Sequence, residues 1–162
     1  IIAGSGPLLE ECKSIVGEKH LENIVFLGRI KKSSIPFFLK QMDALLVHGR
    51  NLPIQEKFGV SYNKLFEYCA AERPIIYVAS FREGIEKQMG EEAIVFAEPD
   101  NLDSFIGAIY SLDRNLPALV SNSHKLRYYV EMNHDTDLLS EKLFLALENV
   151  LSNQIEKGLL RN

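Results

Sequence analysis

Five short apolar runs, at 1–3, 24–27, 44–47, 75–78 and 93–96, punctuate the chain. Each lacks polar alternation, the pattern of a strand buried on both faces. Between them the apolar residues fall at helical spacing. Pro7 at a first helical position, Glu10 and Glu11 behind it and Gly17 as a stop predict a helix. Leu8, Cys12, Ile15 and Val16 share its inner face. Ser33 or Ser34 caps a second helix carrying Phe37, Phe38 and Met42. Ser61 caps a third that ends near Glu72, before Pro74. Asn101 caps a fourth with Leu102, Phe105, Ile106 and Ile109 inward. Two more helices, at about 115–130 and 135–151, close the chain, the last with Leu138, Leu139, Phe144, Leu147 and Val150 on its apolar side.

This alternation predicts an α/β fold: a parallel sheet whose strands are joined by crossover helices. In such sheets a ligand lies beyond the carboxyl ends of the strands. The loops that meet there are 4–6, 28–32, 48–60 and 80–84. The third is long for a connection in a compact domain, and such loops are usually functional or mobile.

Composition narrows the classes. A chain of 162 residues is about one domain, long enough to bury roughly 70% of its unfolded surface without a staple. A 46% hydrophobic and 25% charged composition is that of a globular protein, which excludes disorder, collagen and coiled coil. The net charge of −4 argues against a phosphate-gripping nucleic-acid domain. No apolar run is long enough to span a bilayer. Cys12 and Cys69 both fall in apolar patterns and read as buried free thiols of a reducing cytoplasm. The chain opens on what looks like the end of a buried strand, so it is expected to be a piece of a longer protein. The expected division is a domain at 1–151 and a C-terminal tail at 152–162.

Candidate chemistry concentrates after the long loop, in Gly59-Val60-Ser61-Tyr62-Asn63-Lys64-Leu65-Phe66-Glu67-Tyr68-Cys69. A helix capped by Ser61 turns Leu65, Phe66 and Cys69 inward. Asn63, Lys64 and Glu67 then line one polar side. A capping box would place Glu or Gln at position 64, and the sequence places a lysine there. A cation in the first turn opposes the helix dipole unless an anion occupies that end. The alternative is a solvent pair between Lys64 and Glu67, and the stretch by itself leaves both open. Gly4-Ser5-Gly6-Pro7 is a glycine turn into a helix, without the full dinucleotide fingerprint. His20, His48, His124 and His134 show no metal-ligand spacing. His48 stands out because it ends a predicted strand at the ligand edge. Neither a nucleophile elbow nor a Ser–His–Asp set is present, and no catalytic residue is assigned.

Taken in order, these pieces resemble the C-terminal, donor-binding domain of a family 4 glycosyltransferase with the GT-B fold. The matching stretches are Ile2-Ala3-Gly4-Ser5-Gly6-Pro7, Asn23-Ile24-Val25-Phe26-Leu27-Gly28-Arg29-Ile30, Gln41-Met42-Asp43-Ala44-Leu45-Leu46-Val47, 61–71 with Arg73-Pro74-Ile75-Ile76, and 90–99. They cover about residues 1–112. The resemblance implies a Rossmann-like three-layer fold, a parallel sheet with helices on both faces, forming one half of a GT-B enzyme. It implies that the backbone of Arg29 and Ile30 meets the nucleobase. It places Glu67 on the ribose hydroxyls, the amides of Ser61, Tyr62, Asn63 and Lys64 at the diphosphate, and the Gly4-Ser5-Gly6 loop near it. A carboxylate can accept from both ribose hydroxyls, and a helix N-terminus suits a diphosphate.

Two residues depart from the family pattern. Gly59 stands where the first Glu of the Glu-x7-Glu motif contacts the donor sugar, with Glu56 as the substitute offered by the preceding loop. This form resembles a subgroup of bacterial surface-polysaccharide transferases. Glu72 stands where a Gly usually closes the helix. The implied function is transfer of a sugar from a nucleoside-diphosphate sugar, UDP or GDP, to an acceptor hydroxyl in polysaccharide or glycoconjugate synthesis, with no metal required. The implied partners are that donor and an N-terminal acceptor domain absent from the chain, so the chain alone is expected to be inactive. The first strand and helix of the donor domain, with their diphosphate-neutralising Arg and Lys, are also expected to be missing. No nucleic acid is expected. The expected location is cytoplasmic, with association at the inner membrane face through the missing domain. The alternatives are a GT-B sugar-nucleotide epimerase and a non-catalytic flavodoxin-like interaction domain.

Overall fold

The computed structural model describes residues 1–49, 63–79 and 92–156. The chain divides into two compact units, Ile1–Gln41 and Met42–Asn162.

In the first unit, strands β1 (Ile2–Ala3) and β2 (Phe26–Gly28) pair in parallel, and helix α1 (Leu9–Glu18) connects them. A 3₁₀ turn at Lys32–Ser34 leads into α2 (Ile35–Lys40). The expected burial on both faces does not hold here. Ile2 and Leu27 are about half exposed, and α1 buries no residue, although Leu8, Cys12, Ile15 and Val16 do share one side. A two-stranded pair gives each strand one neighbour and offers little surface to cover a helix.

Other details of this unit also differ from the sequence reading. α1 starts at Leu9, two residues after Pro7. Gly17 lies inside it, and the left-handed residue that ends it is His20, with φ 50°. His20 N–H donates to the Gly17 carbonyl and Leu21 N–H to that of Val16, the two bonds of a Schellman cap. Ser34 occupies the N-cap of α2, but its side chain makes no capping bond and Phe37 is exposed.

The second unit is built on a parallel three-stranded sheet in the order β3 (Leu45–His48), β4 (Ile75–Val78), β5 (Ile94–Ala97). The registers pair His48 with Val78 and Val78 with Ala97, so the carboxyl ends lie level. β4, central, is buried along its whole length, as an apolar run without alternation predicts.

Alternate residues of a strand point to opposite faces, and the core divides accordingly. On one face Val47, Ile75, Tyr77 and Ile94 pack with Leu65 and Cys69 of α3 (Asn63–Ala70) and Leu126 of α4 (Leu102–His134). On the other, Ile76, Val78 and Ala97 pack with Ala108, Phe105 and Leu112 of the same α4. Helices therefore cover both faces, giving three layers.

The helix α4 is one continuous element where two were expected, one capped by Asn101 and a second at about 115–130. Pro117 lies inside it. A proline removes one amide donor and disfavours a helix interior. Here buried residues anchor the helix on both sides of it, Ala108 before and Leu119, Ser123 and Leu126 after. Asn101 caps it as predicted, its side chain accepting from Ser104 N–H at 2.9 Å, while Ser104 Oγ accepts from Glu98 N–H. The inward face is narrower than expected, because Leu102, Ile106 and Ile109 are exposed. Helix α5 (Thr136–Glu156) runs past the expected end at 151. Its Leu139, Phe144, Leu147 and Val150 are exposed as well.

At the end of α3 the residue in the glycine position, Glu72, adopts φ 57°. Its carboxylate pairs with Arg127 of α4 at 3.1 Å. The substitution is thus accommodated by a strained backbone and a surface ion pair, two opposing terms. Glu72→Gly should change stability little, because it relieves the first and loses the second. Glu72→Val should cost about 1–2 kcal/mol, since a β-branched residue resists the left-handed region. Thermal denaturation of both variants checks this; a large loss in the glycine variant would make the ion pair dominant.

Candidate functional site

In the first unit the site residues stand at the carboxyl ends of β1 and β2. Gly4, at φ 133°, donates its N–H to the Gly28 carbonyl at 2.6 Å, and Gly28, at φ 67°, turns the second chain at the same level. Past that last backbone bond Arg29 Nε donates to Ser5 Oγ at 2.6 Å. Ser5 is thereby brought beside Arg29, across 24 residues of sequence.

In the second unit the site residues stand on α3. Leu65 and Cys69 are buried in the core, which leaves Lys64 and Glu67 together on the exposed side. The Lys64–Glu67 solvent pair does not form: among the described residues neither makes an ion pair. Phe66, between them, stacks on His134 at the end of α4 with ring centroids 4.3 Å apart, and His134 Nε2 lies 3.3 Å from Tyr129 Oη. Burial, with the Glu67 carboxylate adding to it, raises the Tyr68 phenol above its ordinary pKa. Glu56, Gly59, Ser61 and Tyr62, and the side chain of Asn63, lie outside the described residues.

His48 belongs elsewhere. It ends β3 with its side chain on the face opposite α3, where it lines a cleft of about 260 Å³ with Val78, Glu98, Asp100, Asn101, Leu102 and Phe105. The cleft offers an imidazole and two carboxylates over an apolar floor. The loop after β5 that supplies Glu98, Asp100 and Asn101 was not among the four sequence-selected loops, although the carboxyl-end rule covers it. Among the described residues no group of His, Cys, Asp and Glu could hold a metal, and no helix is long and apolar enough to cross a membrane.

The cysteines separate. Cys69 is buried, and burial pushes its thiol up to about 12. Cys12 is exposed, contrary to the buried position expected of it, because α1 finds no core to enter. The thiolate is the reactive form. A maleimide or disulfide reagent at pH 8 should therefore modify Cys12 and spare Cys69 until the protein is denatured. Peptide mapping reads the outcome, and native labelling of Cys69 would contradict its burial.

Comparison with known proteins agrees with this architecture. The family of glycosyl transferases group 1 matches residues 1–115. No curated protein matches the chain. Among solved structures it is similar to sucrose-phosphate synthase from Thermosynechococcus elongatus, with a TM-score of 0.74 and 15% identity. The match covers 93% of this chain and 37% of that one, so the chain spans little more than a third of its length. The likeness is one of fold: parallel strands and helices, as in one half of a GT-B glycosyltransferase.

Proposed function

The chain belongs to the glycosyl transferases group 1, and from that premise we propose that it is the donor-binding half of a family 4 type enzyme of bacterial surface-polysaccharide synthesis. It takes a nucleoside-diphosphate sugar, UDP or GDP, and presents the sugar to an acceptor hydroxyl held by a second domain. Residues 1–151 form the nucleotide-sugar domain and 152–162 its tail. The backbone at Arg29 and Ile30 is assigned to the base, Glu67 to the ribose hydroxyls, Ser61, Tyr62, Asn63 and Lys64 to the diphosphate, and the Gly4-Ser5-Gly6 loop to a phosphate-proximal role. Glu56 and Gly59 are where the donor sugar is met. Fixed donors and cations stabilise the leaving diphosphate without a metal. The enzyme works in the cytoplasm, at the inner face of the membrane.

The observation that supports this reading best is the placement of both Lys64 and Glu67 on the exposed side of a helix whose other side is fixed by Leu65 and Cys69. A cation and a carboxylate held side by side, free of each other, suit a ligand with both an anionic and a hydroxyl-bearing part. A thermal-shift screen of UDP, GDP, ADP and their sugars tests it. One nucleotide at 100 times its Kd should stabilise by about 2.7 kcal/mol. No shift with any of them would remove the nucleotide site.

A further inference from the structure

Beyond their last shared backbone bond, Gly4 N–H to Gly28 O, the two strand-end loops of the first unit separate. Arg29 Nε to Ser5 Oγ, at 2.6 Å, is the side-chain bond that rejoins them. Among the described residues the guanidinium makes no other hydrogen bond or ion pair. Both residues are exposed. Holding a long exposed side chain in one geometry costs rotamer entropy, and surface contacts return little stability. The bond is thus a poor stabiliser of the fold and a good spacer between two loops. It also ties the residue just past the left-handed turn at Gly28 to the opposite loop.

We infer that Arg29 is a positioning residue: its Nε–Ser5 bond locks the Gly4–Gly6 loop to the 29–30 backbone and so sets the slot that receives the nucleoside. This rests on the donor-site reading above and assigns Arg29 a role in geometry, with its charge incidental. Glu10 and Glu11 in the first turn of the neighbouring α1 already answer that helix's dipole, so the α1 terminus itself calls for no anion beside Arg29. Two consequences separate geometry from charge. Loss of the bond should weaken a nucleoside and its diphosphate by the same factor. Lysine should not replace Arg29, because its single nitrogen lies at the chain end and cannot bond sideways as Nε does.

The test is calorimetric titration of the chain with UDP and uridine, and with GDP and guanosine, for wild type, Ser5→Ala, Arg29→Gln, Arg29→Lys and the Ser5→Ala/Arg29→Gln pair. Each single variant should lose about three- to tenfold in affinity, equally for nucleoside and diphosphate, at an unchanged melting temperature. The double variant should be no weaker than the singles, as for two halves of one contact. Three results would overturn the inference alone: wild-type affinity in Ser5→Ala, recovery by Arg29→Lys, or a loss confined to the diphosphate. A wild-type chain that binds none of the four ligands would overturn the donor-site reading and this inference with it.

Discussion

Ile75→Ala should lower the stability of the second unit by about 2–5 kcal/mol, the range for truncating a fully buried aliphatic side chain. Ile75 is 0% exposed and opens the central strand, hydrogen-bonded through β4 to both β3 and β5. Its side chain lies among Val47, Leu65, Cys69, Tyr77 and Ile94. Removing three carbons there leaves a cavity between a sheet and two helices, none of which can close in without breaking strand register or moving a helix. Ile75→Val, which removes one carbon, should cost about 0.5–1.5 kcal/mol. Domains carry about 5–15 kcal/mol in all, so the alanine variant should approach loss of folding. Urea denaturation of the three proteins gives the values. A loss below about 1 kcal/mol for alanine would mean that this face is loosely packed.

Glu67→Gln should weaken nucleoside diphosphate binding about tenfold or more, since a hydrogen bond to a charged group contributes roughly 1.5–3 kcal/mol. The side chain is exposed and makes no described bond in the free protein, so folding should be unaffected. Glutamine keeps the size and one acceptor oxygen but presents an amide where a ribose hydroxyl would donate. The effect should be as large for the nucleoside as for the diphosphate, because both carry the ribose. Titration with the two ligands measures it. Unaltered affinity in a folded variant would refute the ribose assignment.

The central sheet was legible in the sequence because its strands are apolar without alternation. The runs at 44–47, 75–78 and 93–96 became β3 to β5 within a residue. The runs at 1–3 and 24–27 carry the same local signal but remain exposed. Periodicity reports what a strand would bury, and only tertiary context decides what covers it. Asn101 was legible for a different reason, because capping is a local bond between residues three apart. The single helix α4 was read as two, because the buried residues along it, from Ala108 to Leu126, are not visible as one stripe in a short window. The site was half legible. Ser5 and Arg29 were each selected, but their mutual bond is a contact across two strands that no local pattern encodes. Glu98 and Asp100 look like any polar loop until three strand ends are seen to lie level.

The continuous α4 helix has a consequence for how the second unit comes apart. Its first half completes the core on one face of the sheet and its second half the core on the other. A unit with two separately covered faces could lose one cover and keep the other. Here the covers are a single rod, so melting either face releases a helix that the opposite face needs. The described part of the second unit should therefore unfold as one cooperative block, with far-ultraviolet ellipticity and tyrosine absorbance changing together. Folding should be correspondingly slow to commit, because the rod is made after all three strands and is useful only once both faces are in place.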